Sequence, residues 1–136
     1  MRYLVDANVL SEPTRLAPEP RVVAWLRSHE SELVVDAIVL GELRMGVLAL
    51  PAGRKKASLD RWFEEIAAAI ECIAWDSEVA RRWARLVIDQ KRKGEAVPLL
   101  DSMIAATALT HGLTVATRNV ADFRKTGARV VDPFAA

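Results

Sequence analysis

The chain has 136 residues, about half of them hydrophobic, which suffices for one domain (residues 1–136) with a full core and excludes a disordered tail. A net charge of +1 gives no global attraction to nucleic acid, and a single cysteine, Cys72, excludes an internal disulfide. No apolar run approaches the ~18 residues of a membrane span, and Met1 to Asp6 is too short and too early interrupted to read as a signal peptide, so a reducing cytoplasm is the expected compartment.

Tyr3-Leu4-Val5 reads as a buried strand ending at Asp6. Pro18 and Pro20 punctuate the loop that follows, and Val22, Val23, Trp25 and Leu26 suit a short helix from Glu19 to about Ser28. Leu33-Val34-Val35 is a second apolar strand. Asp36 is placed to cap a helix running through Ile38, Leu43, Val47 and Leu48, which Pro51 and Gly53 end. Leu59, Trp62, Phe63, Ile66 and Ile70 form the stripe of the next helix. Cys72 to Trp75 reads as a third strand, and Asp76 or Ser77 as the cap of a helix with the stripe Val79, Trp83, Leu86 and Val87, closed by Gly94. Pro98 opens a helix that Gly112 ends. Leu113 to Thr117 is the fourth strand and Arg129-Val130-Val131 the fifth. Strands alternate with helices and most strands are apolar on both faces, which predicts an α/β fold: a mostly parallel central sheet with helices on both faces.

In such a sheet ligands bind beyond the carboxyl ends of the strands. Asp6 follows the first strand directly; Asn119 and Asp122 follow the fourth. Glu42 lies early in the helix after strand two, and Asp101 near the start of the helix leading into strand four. Helices running back over the sheet begin at that same edge, so five polar groups, four of them acids, converge on one cleft. Clustered carboxylates repel unless a cation neutralises them, and hard oxygen ligands favour Mg²⁺ or Mn²⁺. Without a Cys/His cluster, zinc is disfavoured. Magnesium held by few carboxylates keeps open water positions, and one such water can attack phosphorus in line. Each acid alone also fits a turn or a cap; the arrangement carries the reading. Asp36, Asp60, Asp76, Asp89 and Asp132 are assigned to caps or solvated faces, His29 and His111 to the surface, and the four tryptophans to the core.

At these residues the chain resembles a PIN domain, and specifically the VapC toxins of bacterial toxin–antitoxin pairs. Leu4-Val5-Asp6-Ala7-Asn8-Val9-Leu10-Ser11-Glu12 is similar to the family's strand-one signature, with Asn8 as the usual polar companion of Asp6. Gly41-Glu42-Leu43-Arg44-Met45-Gly46 is similar to the second motif, Asp101 to Ala108 to the third, and Thr117-Arg118-Asn119-Val120-Ala121-Asp122-Phe123 to the fourth. Four ordered matches spanning the chain are far more specific than one short pattern. The resemblance implies Mg²⁺- or Mn²⁺-dependent endonucleolytic cleavage of RNA, a VapB-type antitoxin that blocks the cleft, and homodimers. It assigns Asp6, Glu42, Asp101 and Asp122 to metal binding and catalysis, with Asn8, Thr117, Arg118 and Asn119 toward the substrate. Some relatives carry an acid where this chain has Asn119; here an acid comes three residues later, as Asp122, and either group could complete the site.

Two basic runs are candidate phosphate contacts: Arg44 with Arg54, Lys55 and Lys56 on the Glu42 helix and the loop after it, and Lys91-Arg92-Lys93. A solvated helix end favouring cations explains the second run as well. Other functions fit less well. An aspartyl-phosphate phosphatase also places Asp after strand one, but with a second Asp two residues on, where this chain has Asn8. A catalytically inactive PIN-fold binding module would be expected to lose acids, and four are present. A nucleotide-cofactor domain would need a glycine-rich loop after strand one, which is absent.

Overall fold

The structure is a computed structural model that describes residues 1–135. Strand β1 (Tyr3–Val5) leads into a one-turn helix α1 (Ala7–Leu10), then α2 (Pro20–Ser28) and β2 (Leu33–Asp36). Helices α3 (Ala37–Leu48) and α4 (Arg54–Ala69) precede β3 (Glu71–Ile73). A helical hairpin, α5 (Ser77–Lys93) and α6 (Leu99–His111), precedes β4 (Thr114–Ala116); α7 (Val120–Lys125) joins it to β5 (Arg129–Val131). All four strand pairings are parallel, in the order β3-β2-β1-β4-β5. Right-handed crossovers then place α1 to α4 on one face and α5 and α6 on the other. The chain changes direction across the sheet between β1 and β4, and this switch point opens a crevice at the carboxyl ends of those two strands.

Local chemistry sets the element ends. Asp36 accepts the Val39 N–H at 2.9 Å and Asp76 accepts the Val79 N–H at 3.1 Å, so α3 and α5 begin on side-chain caps. Gly94 and Gly112 close α5 and α6 at φ +69° and +65°, a backbone conformation that costs a glycine no side-chain clash. Leu4, Val5, Val34, Val35, Val115 and Ala116 make the central strands apolar on both faces and are wholly buried, packed with Val9, Val39, Ile104 and Phe123 from the helices. Each such Leu or Val contributes about 1.5–3 kcal/mol on burial.

The architecture is the predicted one, with differences at the margins. The third strand is Glu71–Ile73 rather than Cys72 to Trp75, and it is largely exposed because it pairs only with β2 at the sheet edge. Trp75 leaves the sheet and donates its indole N–H to the Met103 carbonyl at 3.1 Å. The tryptophans are half-buried, not wholly buried core. Helices α1 and α7 were not expected: four and six residues are too few to display a helical period. Among the described residues, no helix is long and apolar enough to cross a membrane.

Candidate active site

The crevice is built around Asp6. The backbone of this residue continues the sheet for one more bond, its N–H donating to the Ala116 carbonyl at 2.9 Å. The side chain then turns into the crevice. Oδ1 accepts the Ala7 N–H at 2.8 Å, which starts α1. Oδ2 accepts the Thr117 hydroxyl at 2.7 Å and the Asn8 amide at 3.3 Å. Thr117 follows β4, so this bond ties the two strand ends across the switch point. The same hydroxyl oxygen accepts the Asn119 N–H at 3.0 Å, and Asn8 Oδ1 accepts the Arg118 N–H at 3.1 Å. Burial, leaving Asp6 4% exposed, pushes its carboxyl above the usual range, while the bonds from Thr117 and Ala7 pull it back.

Asp101 lies in the first turn of α6, where Oδ2 accepts the Asn119 side-chain amide at 2.5 Å. Its carboxyl is pushed up to about 6, by burial first and the Asp6 charge second; the Asn119 bond lowers it and Asp122 raises it again. Glu42, from the second turn of α3, is pushed up to about 7 by burial and then by the charges of Asp6, Asp101 and Asp36. Its Oε1 is buried without any hydrogen-bond partner among the described residues. Asp122, in the first turn of α7, pairs with Lys125 at 3.6 Å.

Asp6, Asn8, Glu42, Asp101, Thr117 and Asn119 are therefore brought together by contact or by charge, with Asp122 acting on Asp101 from the rim. Arg118 is only partly with them. Its backbone joins Asn8, but its guanidinium lies over the Phe134 ring at 4.5 Å, in a groove it shares with Glu12, Arg15 and Glu19. Arg44 pairs with Asp60 and lies over Phe63, and Arg54, Lys55 and Lys56 form the first turn of α4 rather than a loop. Two acids were under-read. Asp36 is a cap as expected, yet it is wholly buried rather than solvated, and its Oδ2 accepts the Thr107 hydroxyl at 2.6 Å. The Leu33-Val34-Val35-Asp36 run repeats the pattern of Leu4-Val5-Asp6 and could have signalled a second strand-end acid. Glu12, 6% exposed, accepts the Glu19 N–H at 2.9 Å and so fixes the loop before α2.

Among the described residues, no three Asp, Glu, His or Cys side chains already stand close enough to grip one ion. The donor set still fits a hard divalent cation that keeps most of its waters, which needs only one or two carboxylates. All the donors are oxygens, one buried Glu42 oxygen is orphaned, and the Asp6 charge raises both Glu42 and Asp101. A cation would relieve each of these costs.

A parallel α/β sheet with carboxylates facing one crevice at its switch point defines the class: an acid-cleft α/β domain. The chain belongs to the PIN-domain family, among its VapC-type toxins, with residues 3–128 matching the PIN domain profile. It is similar to a VapC ribonuclease of Sinorhizobium fredii, 33% identical over 96% of each chain, and to Toxin FitB of Neisseria gonorrhoeae, 39% identical over 96% of this chain and 97% of the relative. The crystal structure of FitAcB from Neisseria gonorrhoeae superposes with a TM-score of 0.90 at 38% identity, covering 98% of this chain and 99% of that one.

Proposed function

We propose that the chain, as one PIN domain over residues 1–136, is the toxin of a type II toxin–antitoxin pair and acts as an endoribonuclease dependent on a divalent metal, Mg²⁺ or Mn²⁺. The observation that carries this reading is the meeting of buried Asp6 with half-buried Glu42 and Asp101 at the switch point, where the Asp6 charge raises both and one Glu42 oxygen is unpartnered. Relatives named as a VapC ribonuclease and a toxin support it. Asp6, Glu42, Asp101 and Asp122 are the residues that would hold the metal. When bound, it would supply a water of lowered pKa for in-line attack on phosphorus and charge compensation at the leaving oxygen.

The other side chains prepare those acids. Thr117 and Asn8 fix the Asp6 carboxylate from one side, and Oδ1, with a single donor, keeps one lone pair free. Asn119 holds Asp101 by Oδ2 and leaves Oδ1 for a ligand. Asn119 orients Asp101, and Asp122, whose charge raises Asp101 from the rim, is the acid placed to add a further oxygen to the metal. Asn8, Arg118 and Asn119 face the RNA; Thr117, with no exposed surface, positions Asp6.

The partner is a VapB-type antitoxin. Helix α3, which carries Glu42, exposes Met45 and Leu48 three residues apart, an apolar strip that a partner would cover. Self-association into a homodimer and action in the cytoplasm, where cellular RNA lies, belong to the same proposal. Purified antitoxin-free protein incubated with total bacterial RNA in Mg²⁺, Mn²⁺ or EDTA, beside Asp101→Asn, tests the activity. Cleavage should require metal and vanish in the variant. A well-folded wild type that cuts nothing would sink the nuclease reading in favour of a binding module.

A further inference from the structure

A second concentration of charge lies away from the acids. The outer face of α5, the end of α6 and the turn after α7 enclose an open groove of about 500 Å³. Five cations, Arg82, Arg85, Lys93, Arg124 and Lys125, line it against one acid, Asp89. All five are exposed. Lys125 reaches Asp122, while Arg82, Arg85, Lys93 and Arg124 form no ion pair among the described residues. On a chain of net charge +1 this is a local concentration, not a general cationic surface.

Helix ends explain part of it. Lys93 and Lys125 close their helices, where the dipole favours cations. Arg82 and Arg85 stand in the body of α5, beyond the reach of its C-terminal dipole, and as an i,i+3 pair of like charge they repel each other. The groove is also held in shape. Gln90, only 4% exposed, donates its amide to the Lys125 carbonyl at 2.6 Å and so fixes the end of α7 against α5. Two helices, α5 and α7, therefore hold mutually repelling cations around one opening, an arrangement that a polyanion would stabilise.

Helix α7 links this groove to the acids. Asn119 and Asp122 stand at its start, Arg124 and Lys125 at its end. Six residues span about 9 Å, short enough for one strand to reach from the acids to the groove. The groove offers few apolar anchors of the kind that protein interfaces bury, Leu86 and Leu109 alone, and Leu86 is itself buried. We propose that, given the ribonuclease reading on which this rests, the groove is a track for the RNA backbone, in which Arg82, Arg85 and Arg124 hold phosphates of the strand whose scissile bond lies at the acids.

The test is binding of a short fluorescein-labelled single-stranded RNA, titrated with salt in Mg²⁺ buffer on the cleavage-deficient Asp101→Asn background. Adding Arg82→Gln/Arg85→Gln/Arg124→Gln should weaken binding about ten- to hundredfold at low salt and lower the slope of log affinity against log salt by about 2. A charge-matched variant elsewhere, Arg27→Gln/Arg61→Gln/Arg129→Gln, should lose much less. If the triple variant melts early, Arg82→Gln/Arg85→Gln alone should still lower the slope by about 1. An unaltered slope, or equal losses in the groove and control variants, would overturn the track. Tighter capture of a poly-glutamate peptide than of RNA would overturn it in favour of an acidic protein segment. Wild-type cleavage is measured alongside: a parent that binds RNA with no groove effect sinks only the track, whereas a wild type that neither binds nor cuts RNA sinks the ribonuclease reading as well.

Discussion

Asp6 and Asp36 end neighbouring strands in nearly the same way. Each follows an apolar run, caps the helix that starts beyond it and accepts a threonine hydroxyl, from Thr117 at 2.7 Å and Thr107 at 2.6 Å. Burial pushes both carboxyls upward. They differ in what surrounds them. Asp36 ends β2, away from the switch point; its caps and Thr107 occupy it, and no surface is left exposed. Asp6 ends β1 at the crevice, and the acids across the crevice, Glu42 and Asp101, both register its charge. The same local chemistry is wholly enclosed where the sheet closes over it and faces other acids where the sheet opens.

The largest effects should separate the two. Asp101→Asn and Asp6→Asn each remove a charge from the crevice while keeping shape, and asparagine caps α1 as well as aspartate does. Losing several kcal/mol of charge stabilisation should lower cleavage about 10²- to 10³-fold. Asp101→Asn should lose no thermal stability, because one repelling charge has gone, whereas Asp6→Asn should lose about 1 kcal/mol, because its amide nitrogen replaces the oxygen that accepts from Thr117 and Asn8. Asp36→Ala should behave oppositely. It removes the α3 cap and the short bond from the buried Thr107 hydroxyl, leaving that group only the long one to the Met103 carbonyl at 3.5 Å, for a loss of about 2–3 kcal/mol in urea unfolding, with cleavage per folded molecule largely retained. If Asp36→Ala abolished cleavage at full stability, the division between the two aspartates would fail.

Much of this was legible in the sequence because strand ends and helix starts meet at one edge of a parallel sheet. Asp6, Asp101 and Asn119 fall there by position alone, and Glu42 was conspicuous inside an apolar helix. The burial of Asp36 was not legible, since its partner Thr107 is 71 residues away and nothing local announces the bond. The direction of Arg118 was hidden for the same reason: it depends on Phe134, which the fourth motif does not contain. Helices α1 and α7 were missed because one turn has no period to read, and α7 is the element that separates Asn119 on Asp101 from Asp122 at the rim.

Glu42 sharpens the comparison through pH. Its carboxyl is held at about 7 in the folded protein against an ordinary value of 4.5, so folding favours the protonated form. Below about pH 4.5 this costs the fold nothing; as pH rises through about 7 the metal-free protein loses stability, and then levels off. The full gap corresponds to about 3 kcal/mol, which partial solvent access reduces to about 1–2 kcal/mol. Thermal melts in EDTA should therefore fall between about pH 5 and pH 8 for wild type and fall less for Glu42→Gln, in which the raised Asp101 remains. Parallel curves for the two proteins would show that Glu42 does not share the charge of the crevice.

The smallest effect concerns the rim. Arg118 stacks on Phe134 and touches no acid through its side chain, so Arg118→Ala should cost about 0.5–1 kcal/mol of stability from the lost cation–π contact. Because its backbone N–H, not its guanidinium, bonds Asn8, the Asp6–Thr117–Asn8 network should survive the substitution. A phosphate role then appears as weaker RNA binding with a salt slope reduced by about 0.7, and cleavage at saturating RNA should be nearly unchanged. If saturating RNA failed to restore the rate, Arg118 would belong with the acids of the crevice and not with its rim. An unaltered slope would confine it to packing against Phe134.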